Sequence, residues 1–167
     1  MSTRNDGARD SLPLRGKFFI EHRNKAGKLI GLYRIPNGIV DVGMDFLLDC
    51  MFNSGTQSAT WYIGLIDNSG YSGVADSDTL ASHAGWTEFT DYSGGRKTWG
   101  VGAASGRSVT NGATVDFTMT GAGAVRGIFA TDQSAGTAPI LWATALFSSA
   151  ITVAGSDILK ITYTVSG

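Results

Sequence analysis

At 167 residues the chain suits one domain and is long enough to bury a core without disulfide staples. Its 13 basic and 14 acidic side chains nearly cancel, which argues against bulk nucleic-acid binding, and no apolar run approaches the roughly 20 residues that cross a bilayer. A single cysteine, Cys50, excludes an intrachain disulfide and a cysteine-based zinc site, and 23 glycines against 3 prolines indicate many turns.

Charge is uneven along the chain. Residues 1–34 hold eight basic side chains against Asp6, Asp10 and Glu21, about +5, whereas the rest holds five basic against eleven acidic, about −6. A basic arm thus precedes an acidic body. It is either an ordinary solvated terminus or an arm that reaches an acidic neighbour, another copy of the chain included. Residues 1–16 read as flexible, and the start MSTRNDGARDS lacks the apolar core of a secretory signal, so synthesis in the cytoplasm is expected.

Lys17 to Arg23 and Lys28 to Ile35 are apolar-aromatic runs around Asn24-Lys25-Ala26-Gly27, the pattern of a β-hairpin over residues 17–35 that Pro36-Asn37-Gly38 then stops. Over 40–52 the period changes. Val40, Met44, Leu47, Leu48 and Met51 recur at spacings of three and four, opposite Asp41, Asp45 and Asp49, which predicts one amphipathic helix with Cys50 at its edge. Trp61 to Asp67 is a near-continuous apolar run, read as a central strand. Residues 68–85 form a polar, glycine-rich excursion with a helical turn expected over Asp78 to His83.

Extended segments resume at Trp86 to Phe89, Lys97 to Val101 and Arg107 to Thr110, and Asn111-Gly112 marks a tight turn. Val115, Phe117 and Met119 then alternate with polar residues. Val125 to Thr131, Ile140 to Phe147 and Ile158 to Val165 repeat that plan, and in the last Leu159, Ile161, Tyr163 and Val165 share one face. With no helices alternating between strands, the main strands of 61–166 indicate an all-β fold. The expectation is an antiparallel β-sandwich or jelly roll of about eight to nine strands, residues 17–167 forming one domain.

Chemistry is sparse. Gly70-Tyr71-Ser72-Gly73 approaches a nucleophile elbow, but Val74 stands where the second glycine belongs and no strand-turn-helix context surrounds it. His83 lies near Asp76, Asp78 and Ser82, a grouping that fits a polar surface turn as well as a triad. Asp67, Asn68, Asp76 and Asp78 offer oxygen ligands without the EF-hand spacing. Glu21 and Glu88 are the only glutamates, and nothing sets either opposite an aspartate as glycosidase chemistry requires. Trp61, Trp86, Trp99 and Trp142 would stack on sugars if exposed, but they sit within apolar segments, which favours the core. No catalytic residue, metal site or cofactor is therefore expected.

Several segments taken together carry a resemblance. They are Asn37 to Val40 leading into Leu47-Leu48-Asp49, Trp61 to Ile66, Ala81 to Glu88, Tyr92, Arg96 to Trp99, and Gly155 to Val165. Over roughly residues 37–166 the chain resembles small structural proteins encoded by tailed bacteriophages. The resemblance implies a virion component on the capsid surface, a decoration or cement protein with a jelly-roll-like body and no catalytic residues. Its partners would be the major capsid protein and other copies of itself, a homotrimer suiting three-fold positions of a shell, with no membrane and no specific nucleic acid. Arg4, Arg9, Arg15, Lys17, Arg23, Lys25 and Lys28 are the expected contacts, acting with β-addition by residues 1–35. A tail adaptor or fibre component and a lectin-like glycan-binding module are the alternatives.

Overall fold

The computed structural model describes residues 14–137 and 140–167. The fold is all-β and antiparallel, with ten strands and one helix among these residues. The strands are β1 (Arg15–Arg23), β2 (Leu29–Ile39), β3 (Trp61–Asp67), β4 (Glu88–Phe89), β5 (Lys97–Trp99), β6 (Ser108–Thr110), β7 (Val115–Thr118), β8 (Gly123–Thr131), β9 (Leu141–Val153) and β10 (Ile158–Ser166), and the helix is α1 (Asp41–Phe52).

One continuous sheet curls over to make two layers. In the front layer β2 pairs β1, β1 pairs β10, and β6 and β7 follow one another along the far side of β10. In the back layer β9 pairs β8, β8 pairs β3, and β4 and β5 share the far side of β3. The layers join where Gly38 and Ile39 of β2 pair Thr144 and Ala143 of β9. Opposite that corner, bridges Tyr92↔Met119 and Val101↔Asn111 tie the short strands of the two layers together.

The alternation read from the sequence decides what lies between the layers. Phe18 and Ile20 of β1, Val115 and Phe117 of β7, and Leu159, Ile161, Tyr163 and Val165 of β10 meet Ile63, Leu65, Ile128, Ala130 and Ala145 from the back layer. A second, smaller cluster lies on the outer side of the back layer, where Leu80 of the 68–85 excursion and Trp86 just after it cover Ile66, Phe129 and Leu141. That excursion therefore covers one face of the sheet. The segment expected to form a helical turn instead makes an isolated bridge between Thr79 and Ser82.

Four other expectations are refined. The strand count is ten rather than eight or nine, because short strands flank both layers. Pro36-Asn37-Gly38 does not end the second strand, which runs on to Ile39. A proline is tolerated there because β2 has only β1 as a ladder neighbour up to Asn37, leaving one side where no N–H is needed. The helix matches in extent, and Asp41, Asp45 and Asp49 are exposed as expected. Of the apolar face, Val40 is buried and Leu47 reaches the core, but Leu48 and Met51 face solvent, and Gly43 is the buried helical residue. The expected hairpin begins two residues early, at Arg15, and residues 1–13 of the expected arm lie outside the described residues.

Candidate interaction surfaces

Of the expected contact residues, Arg4 and Arg9 lie outside the described residues. Arg15 and Lys17 project from the outer face of β1, because Gly16, Phe18, Ile20 and His22 take the inward positions. Arg23 is occupied: its Nε and Nη2 donate to Glu21 Oε2 and its Nη1 donates to the Gly27 carbonyl. Together with Asn24 Oδ1, which accepts from the Ala26 and Lys28 N–H groups, this braces the hairpin turn. Lys25 and Lys28 stand exposed on that braced turn.

Strand β2 brings what the sequence reading did not single out. Register sets Arg34 beside Phe19, with the guanidinium carbon 5.5 Å from the ring centre. Lys17, Phe18, Phe19, Arg34 and Thr162 line a shallow depression of about 530 Å³ on the front layer. Among the described residues Arg15, Lys17 and Arg34 have no carboxylate partner, whereas Glu21 pairs Arg23 and Asp116 pairs Lys160. Leu29, Ile30 and Leu32 are 40%, 50% and 55% exposed on the same strand. From Leu29 to Asn37 that strand pairs β1 alone, so its other edge offers free backbone groups.

Helix α1 contributes a surface of another kind. It seats Gly43 against the Trp142 backbone and Phe46 against Trp61, with ring centres 5.8 Å apart. The opposite side then carries Asp41, Asp45 and Asp49 together with Leu48, Met51 and Phe52, all exposed.

The residues weighed for chemistry have structural partners. His83 stacks on Trp86 at 3.8 Å, and its Nδ1 lies 2.9 Å from the Trp86 carbonyl. Trp86 Nε1 and the Ala75 N–H both donate to Asp78 Oδ2, so these groups fasten the excursion rather than activate Ser72 or Ser82. Asp67 Oδ1 accepts from the Ser69 N–H. No group of three or more metal-ligating side chains occurs among the described residues. Trp86, Trp99 and Trp142 are buried, and Trp61 is half-buried, its ring edge-on to those of Trp142 and Phe46.

One buried and one half-buried polar pair were not visible in the sequence. His22 Nε2 lies 2.9 Å from Asp157 Oδ2, which also accepts from the Ala154 N–H, fixing β1 to the β9–β10 turn. Arg96 donates to both oxygens of Glu88 and to the Gln133 carbonyl, its guanidinium over Phe129. The Tyr92 hydroxyl donates to Glu88 Oε1, and burial followed by the Glu88 charge pushes its pKa well above the usual phenol range. Burial does the same to Tyr163, whose hydroxyl accepts from Trp142 Nε1. His22 and Asp157 lie 135 residues apart, beyond any local spacing, whereas Glu88 and Arg96 are eight apart and meet only because β4 and the turn before β5 fold that way.

Comparison with protein-family models matches no family, and comparison with curated proteins gives no significant match.

Proposed function

We propose that the chain is a non-enzymatic structural protein of a virion, a decoration or cement protein that binds and stabilises the outer surface of a capsid shell. The observation that carries this reading is the β1–β2 hairpin. Its braced turn presents Lys25 and Lys28, and beside it β2 presents an unpaired edge bearing Leu29, Ile30 and Leu32. An edge of this kind adds to a neighbouring sheet through backbone hydrogen bonds, with the lysines steering it to an acidic surface. A rigid body around a continuous core suits a clamp that must hold its shape between shell subunits. The resemblance over residues 37–166 supports the same role, and the three-fold positions of a shell favour a homotrimer.

Quantitative mass spectrometry of purified particles tests the reading by the ratio of this chain to the major shell protein. Many copies in fixed ratio to the shell subunit are expected. A few copies per particle would place it in the tail as an adaptor or fibre component, and its absence from particles would overturn the virion reading. In a shell-binding assay, Lys25→Glu with Lys28→Glu should weaken binding without lowering the melting temperature.

A further inference from the structure

The solvent face of α1 is unusual for a helix that meets only water. Asp41, Asp45 and Asp49 follow at four-residue spacing, and Leu48, Met51 and Phe52 lie among them at 47%, 65% and 79% exposure. Polar side chains normally fill such a face. Its complement would combine positive charge with apolar area. The outer face of the front layer has that combination: Arg15, Lys17 and Arg34 without carboxylate partners among the described residues, set around Phe19 and Leu32.

We propose that α1 of one copy docks on the outer face of the β2–β1–β10 layer of a second copy. Dimensions agree. Carboxylates four residues apart on a helix stand about 6 Å from one another. Lys17 and Arg34, diagonal neighbours across β1 and β2, are separated by a similar distance of about 7–8 Å. A helix of twelve residues is about 18 Å long. It fits along β1, whose nine residues extend for about 30 Å. Within one copy α1 packs on β9 of the back layer, so a chain does not satisfy its own front face. The contact joins unlike surfaces, and repeating it gives a ring if it closes and a growing chain if it does not. It requires no shell, so it stands or falls separately from the virion reading.

The test is light scattering and sedimentation of the full chain over a concentration series. The wild-type protein should associate, and association should weaken as salt rises. Asp45→Lys with Asp49→Lys, and separately Lys17→Glu with Arg34→Glu, should each run as monomers while keeping the wild-type melting temperature. Mixing the two variants restores opposite charges at both contacts and should restore association. Phe52→Ser should weaken association about tenfold or more, as the loss of a central aromatic anchor does. A wild-type chain that stays monomeric throughout would overturn the proposal. So would association that survives both reversals, or a mixture that does not recover it.

Discussion

Asn111 makes four hydrogen bonds inside the fold. Its Oδ1 accepts from Trp99 Nε1 at 3.2 Å and the Tyr163 N–H at 2.7 Å, and its Nδ2 donates to the carbonyls of Ala113 and Ile161. Truncation would leave several of these groups buried without partners, each costing about 1–3 kcal/mol. Asn111→Ala should therefore lower the unfolding free energy by about 3 kcal/mol or more, read as a shift of the urea midpoint. The sequence marks Asn111-Gly112 as a turn, yet not the grip on Tyr163, which lies 52 residues away. His22 and Asp157, 135 residues apart, were hidden for the same reason. The two buried phenols give a pH prediction. Tyr92 and Tyr163 hold their protons more tightly folded than unfolded, because burial disfavours the phenolate. Their stabilising contribution is complete below the unfolded phenol pKa of about 10 and declines above it. The melting temperature should fall on raising the pH past that point. Tyr92→Phe should make the fall shallower, and an equally steep fall in that variant would count against the assignment.

Helix α1 shows why a periodic pattern gives an element's existence more readily than its orientation. Spacings of three and four indicated the helix, but two apolar stripes compete for the core. The sequence pattern set Val40, Met44, Leu47, Leu48 and Met51 on one inward face, whereas close approach of Gly43 to Trp142 brings the Gly43 and Leu47 side inward and leaves Leu48 and Met51 exposed. A Cβ at Gly43 would lie 2.5 Å from the Trp142 carbonyl oxygen, a backbone atom that cannot swing aside. Alanine in a helix interior is ordinarily favoured over glycine by about 1 kcal/mol. Here the overlap should dominate, and Gly43→Ala should destabilise by about 1–3 kcal/mol, the usual range for overpacking. Thermal melts of the two proteins decide the sign, and a more stable alanine variant would show that the helix can shift outward freely. Strand β2 makes a related point. Pro36-Asn37-Gly38 is correct turn chemistry locally, but pairing with β9 draws the segment into the sheet, a contact made over 100 residues later in the chain.

At the scale of the molecule, the all-β class followed from alternation in β7 and β10, whereas the curl of one sheet into two layers followed from pairings no single segment encodes. β10 is the strand on which those pairings converge. It pairs β1 along its whole length on one side and both β6 and β7 on the other. Its inward residues Leu159, Ile161, Tyr163 and Val165 are all buried, and Tyr163 stacks on Phe18 with ring centres 4.0 Å apart. Removing residues 162–167 deletes Tyr163 and Val165, takes away the partner of β6 and unpairs the first half of β1. Loss of a large buried side chain costs about 2–5 kcal/mol on its own. Two such losses with a broken ladder match the whole stability of a typical domain, about 5–15 kcal/mol. The truncated chain should thus show no cooperative melt and no near-ultraviolet signal from the aromatic core. A melt that stayed cooperative would mean that β7, β1 and the back layer hold the fold without the end of β10.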